Sequence, residues 1–91
     1  MIDVDYQALD AEIDDGSFRT RLQVELVRGF RTLIESGERL PPASYYAAKI
    51  AEIISNGAPA PLEPELAFHL YQEILAACEN ASSTVLGEKP S

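Results

Sequence analysis

Four arginines crowd the fourteen-residue stretch FRTRLQVELVRGFR, at Arg19, Arg21, Arg28 and Arg31. The whole 91-residue chain has only seven lysines and arginines against fifteen acids, for a net charge of −8. Guanidinium groups at that density could bind an anion such as nucleic acid. Their spacing favours a different reading. On a helix, Arg21 and Glu25, Arg31 and Glu35, and Glu25 and Arg28 are neighbours at four, four and three residues, and each such pair contributes about 0.2–0.5 kcal/mol. Arg19 alone lacks a partner of this kind, with Asp14 and Asp15 just ahead of it. A nearly neutral face releases few counterions, so direct nucleic-acid binding is not expected.

The acids form a second cluster. Residues 1–16 contain six carboxylates and no base. Tested as a calcium loop, DVDYQALDAEIDDG fails in both registers. Starting at Asp3 puts Ala8 where the glycine belongs; starting at Asp10 puts Asp15 there and Arg21 where the glutamate belongs. The remaining functional reading is a surface for a basic partner, carried by Asp10, Glu12, Asp14 and Asp15, because complementary charge speeds encounter and sets orientation. The alternative is an ordinary solvated helix face with acidic caps.

Other chemistry is sparse. His69 is the single histidine, and Glu65, His69 and Glu73 share one helix face at four-residue spacing. Successive turns splay such ligands apart, and the Glu-x-x-His spacing of di-iron bundles is absent. Cys78 is the lone cysteine, so no internal disulfide forms, and it reads as a small buried apolar side chain. No nucleophile–base pair or glycine-rich phosphate cradle is visible. The expectation is no enzyme activity, no cofactor and no metal.

Tyr45 and Phe68 fall off the main apolar stripes of their helices, among charged neighbours, as anchors of a binding surface do. Val24 and Val27, with Ile34, widen the apolar sector beside Arg31 beyond what one core face needs. A helix that is apolar on two sides is central in its bundle or touches a second chain. Val24, Val27 and Arg31 are therefore expected to form a homodimer or partner edge.

These residues are positioned by four segments with helical periodicity. The first spans about 4–14, with Tyr6, Leu9 and Ile13 on one face, Asp3 or Asp5 as cap and Gly16 as stop. The second spans about 17–36, with Ser17 as cap, a stripe of Phe18, Leu22, Leu26, Phe30, Leu33 and Ile34, and Gly37 as stop. The third opens at LPPASYY with a proline in its first turn and ends at Gly57. The proline-rich APAPLEP is a stiff connector. The fourth spans about 64–79, with Leu66, Ala67, Leu70, Tyr71, Ile74, Leu75 and Cys78 along one side.

The expected fold is all-α: a small single-domain bundle of three main helices plus a short N-terminal helix, over residues 1–80. Residues 81–91 are expected to be a flexible, frayed C-terminal tail on which Val85 and Leu86 dock at most. The acidic opening has neither the basic nor the apolar region of a signal peptide, and no apolar run is long enough to cross a membrane. A cytoplasmic protein without membrane contact is expected. The function expected from these features is a non-enzymatic interaction module for another protein with a basic surface. In its sharper form it is a small acidic inhibitor, a nucleic-acid mimic in the manner of phage- or plasmid-encoded antagonists. The alternative is a structural homodimerisation subunit or adaptor.

Overall fold

A computed structural model describes residues 4–87. Four helices account for most of that span: α1 (Leu9–Asp15), α2 (Ser17–Glu35), α3 (Ala43–Gly57) and α4 (Pro64–Gly87). No strand occurs among the described residues. The all-α bundle expected from the periodicity is the fold observed.

Glycines set the first two stops. Gly16 joins α1 to α2 with no intervening loop, at φ +82°, a conformation that suits a residue without Cβ. Gly37, also at φ +82°, closes α2. There the Gly37 N–H donates to the Ile34 carbonyl at 3.0 Å and the Glu38 N–H to the Leu33 carbonyl at 3.0 Å, satisfying carbonyls that the helix end leaves open.

The starts differ in detail from the expectation. α1 begins at Leu9, after a turn in which Asp5 Oδ1 accepts from the Gln7 N–H at 3.1 Å and the Asp5 carbonyl from the Ala8 N–H at 3.1 Å. Asp3, the other expected cap, lies outside the described residues. Ser17 does not cap α2. Gly16 occupies that position, and the Asp15 carboxylate accepts from the Ser17 N–H at 2.8 Å. Pro42 stands just ahead of α3 instead of in its first turn, while Pro64 does open α4.

α4 is the central helix, packed against both α2 and α3, with α1 against α2 and α4. Arg19 reaches Glu73, and Asn80 donates to Gln23, so α2 and α4 run in the same direction. α3, returned by short connections, runs against both. Leu70, Ile74, Ala77 and Cys78 of α4 are all but inaccessible. They meet Phe18, Leu22, Leu26 and Phe30 from one side and Ala47, Ile50 and Ile54 from the other. Phe30 and Tyr46 add an edge-to-face pair, with centroids 5.0 Å apart.

The expected tail is corrected over its first seven residues. α4 does not end at Asn80 but continues to Gly87, with Ala81 fully buried and Val85 nearly so. The bundle therefore extends to at least residue 87, and residues 88–91 of the expected tail lie outside the described residues. The run Asn80–Thr84 stays helical because burial of Ala81 and Val85 holds it against the core, and the Thr84 hydroxyl finds its partner one turn back, donating to the Asn80 carbonyl at 2.9 Å. Among the described residues no helix is long and apolar enough to cross a membrane.

Candidate functional site

Arg19 and Arg21 are held by carboxylates of other helices, and Arg28 by one of its own. Arg19 Nη1 lies 3.4 Å from Glu73 Oε2 on α4. Arg21 pairs with Glu12 on α1. The Glu25–Arg28 pair, at 3.8 Å, follows the spacing within α2, and both of its side chains are largely exposed. Arg21, expected to pair with Glu25, and Arg19, expected to have no partner along its helix, therefore both fasten α2 to other helices.

That arrangement sorts the acidic candidates. Glu12 faces Arg21, its side chain is mostly covered, and its second oxygen is buried without a hydrogen-bond partner in the chain. Asp15 is exposed but engaged at the start of α2. The Ser17 hydroxyl and the Ser17 backbone N–H hold its carboxyl below the usual range. Asp10 and Asp14 differ from both. They are exposed, one turn apart on α1, and face a groove of about 580 Å³.

The far wall of this groove is the end of the connector, with Glu63, and the start of α4, with Glu65 and His69. Its floor and end are Tyr6, Leu66 and the connector prolines Pro59 and Pro61. Asp14 and His69 also border an adjoining hollow that reaches Glu73. Among the described residues lining the groove none is lysine or arginine. Four carboxylates from two helices and a connector thus share one concave surface, where low-dielectric walls concentrate their field.

Tyr6 shapes the end of the groove. Its hydroxyl donates to the Ile54 carbonyl at 2.6 Å, in the last turn of α3. The ring sits so close to Gly57 that a Cβ there would come within 2.9 Å of the hydroxyl oxygen. The contact pins residues ahead of α1 to the end of α3, and so holds α1 against the connector.

The aromatic pair does not form one patch. Tyr45 lies in the first turn of α3, 54% exposed, with Lys49 Nζ 5.3 Å from its ring centre. Phe68 lies early in α4, 58% exposed and tilted against His69 at 6.0 Å. Because α3 and α4 are antiparallel, the rings point from opposite ends of the molecule. The valine edge is coherent. Val24, Val27 and Arg31 line a second groove, of about 340 Å³, with Arg28 and with Thr84 of α4.

Sequence reasoning passed over Glu63 and weighed Glu65 and His69 only as metal ligands. The available signal was spacing: Asp10 with Asp14, and Glu65 with His69 and Glu73, each repeat at four residues. Among the described residues no group of three or more histidine, cysteine or acidic side chains is arranged to hold a metal ion. Cys78 is fully buried, and burial, with Glu79 adding to it, pushes its thiol up to about 11.

No protein-family model matches the chain, and no curated protein or solved structure matches it either.

Proposed function

From the chain's own geometry, we propose that it is a non-enzymatic protein-interaction module that seats a basic segment of a larger protein in the groove between α1 and the start of α4. The observation carrying this reading is the groove itself: Asp10, Asp14, Glu63 and Glu65 around one concavity, with no lysine or arginine among its described lining residues. A carboxylate array of this kind offers lysines and arginines what nucleic-acid phosphates offer them. The sharper form is an antagonist that occupies the nucleic-acid-binding surface of its partner. Glu12 and Asp15 take no direct part in it, since their carboxylates serve the fold.

The test is capture from the native lysate at low salt, with an Asp10→Lys/Asp14→Lys variant in parallel. The expected result is a nucleic-acid-handling protein that elutes as salt rises, because exposed charge contacts are screened over about 8–10 Å near physiological ionic strength. The variant should retain its helicity and fail to capture that protein, and the native chain should displace nucleic acid from it. Equal capture by the variant would overturn the reading.

A further inference from the structure

His69 stands where the groove and the adjoining hollow meet. It lines the groove with Asp10, Asp14, Glu63 and Glu65, and the hollow with Asp14 and Glu73. It is exposed, with its ring tilted against Phe68 at 6.0 Å between centroids. The sequence has no other histidine.

The charged groups around it come from every element at this end of the molecule. α1 supplies Asp10 and Asp14, the connector Glu63, and α4 Glu65 and Glu73. Glu12 of α1 is turned to Arg21 instead. α2 enters only through Arg19, which Glu73 holds at 3.4 Å. The Tyr6 hydroxyl is engaged at the Ile54 carbonyl. Among the described residues lining either concavity none is lysine or arginine. Carboxyl groups ordinarily titrate near pH 4 and lysines above about pH 10, so histidine is the group that changes charge between about pH 5 and 8. A neutral imidazole leaves the carboxylates of the groove unopposed. A protonated one sets a cation in the same row of α4 as Glu65 and Glu73, one turn from each.

We infer that His69 is a pH-sensitive release for the acidic groove: protonating it expels the basic segment seated there. The inference rests on the groove holding such a segment. The imidazolium repels the segment's cations and gives the neighbouring carboxylates a partner within the chain, so both effects have the same sign. The coupling is reciprocal. A bound cationic segment favours the neutral imidazole, so His69 gives up its proton at lower pH in the complex than in the free chain.

The test uses the full chain and an acetylated, labelled nonalysine peptide, whose charge is constant over this range. With one histidine in the sequence, the imidazole Cε1 proton reports His69 directly by NMR. At fixed ionic strength, binding should be at least threefold weaker at about pH 5.5 than at about pH 8. Saturating peptide should lower the His69 midpoint by about half a pH unit, the equivalent of that threefold change. His69→Gln, at an exposed position, should bind alike at both pH values, and His69→Lys should bind weakly at both. Equal affinity of the native chain at both pH values, a fall that persists in His69→Gln, or a midpoint that peptide leaves unmoved would overturn the switch and leave the groove reading intact. No binding at about pH 8, or equal binding by the Asp10→Lys/Asp14→Lys variant, would overturn the groove reading and the switch together.

Discussion

The Tyr6 hydroxyl donates to the carbonyl of Ile54, 48 residues away, at 2.6 Å, in a space that a Cβ at Gly57 would invade to within 2.9 Å. The contact satisfies a carbonyl in the last turn of α3 that the helix leaves without an internal donor. Tyr6→Phe should cost about 1 kcal/mol, the usual net worth of such a bond. Gly57→Ala should destabilise the native chain, because the added methyl would push a tethered hydroxyl. In the Tyr6→Phe background the clash is gone, and alanine's better helix propensity, worth about 1 kcal/mol, should make the same substitution neutral or stabilising. A double-mutant cycle by urea unfolding reads this change of sign.

Two neighbouring acids on α1 should behave oppositely. Glu12→Lys places a cation against Arg21 in a mostly covered position, so the loss should exceed the ordinary worth of an exposed pair, about 1 kcal/mol or less. Asp14→Lys, at an exposed position with no structural ion pair described, should change stability by less than about 0.5 kcal/mol. Chemical denaturation of the two single variants checks the ordering. If they are equally damaging, Glu12 does not fasten α1 to α2.

Asp15 predicts a pH effect. Its folded carboxyl titrates below the ordinary value of 3.8, chiefly through the Ser17 hydroxyl and then the Ser17 N–H. A depressed carboxyl contributes stability that is present above the unfolded value and lost as pH falls through the folded one. The anchoring of α2's first turn should therefore hold at neutral pH and weaken only below about pH 4. Carboxyl-carbon NMR should place the Asp15 midpoint under 3.8, and Ser17→Ala should move it upward.

The end of α4 belongs to the core. Val85→Ala should cost about 2 kcal/mol from lost burial and the cavity left behind. A chain cut after Asn80 should lose more, since fully buried Ala81 goes as well. Leu86→Ala, at a position 66% exposed, should be nearly silent. Thermal unfolding of the three variants ranks them. A silent truncation would mean that the last two turns do not carry packing.

Much of this architecture can be read in the chain. The stripe of α4, that of α2 apart from the exposed Ile34, the left-handed stops at Gly16 and Gly37 and the proline opening of α4 are local patterns, and local patterns report on single helices. What escaped is tertiary. Wheel spacing ranks Glu25 as the partner of Arg21 because it sees one helix; the fold offers Glu12 from another. The end of α4 was misjudged for a related reason. Asn80 to Thr84 looks like a polar tail, yet Ala77, Ala81 and Val85 repeat every four residues on the buried side, and the Thr84 hydroxyl turns back onto the helix. Of the candidate surface, the individual carboxylates were visible. Their meeting across α1 and α4 was not, because it depends on how Tyr6 and the connector set one helix against the other.

α4 runs unbroken past both grooves, with Glu65 at one and Thr84 at the other. Nineteen residues of continuous helix separate them, about 28 Å. A hydrogen-bonded rod neither stretches nor folds back, so the two grooves are kept at a set distance from each other. The helix that builds the core also acts as a ruler.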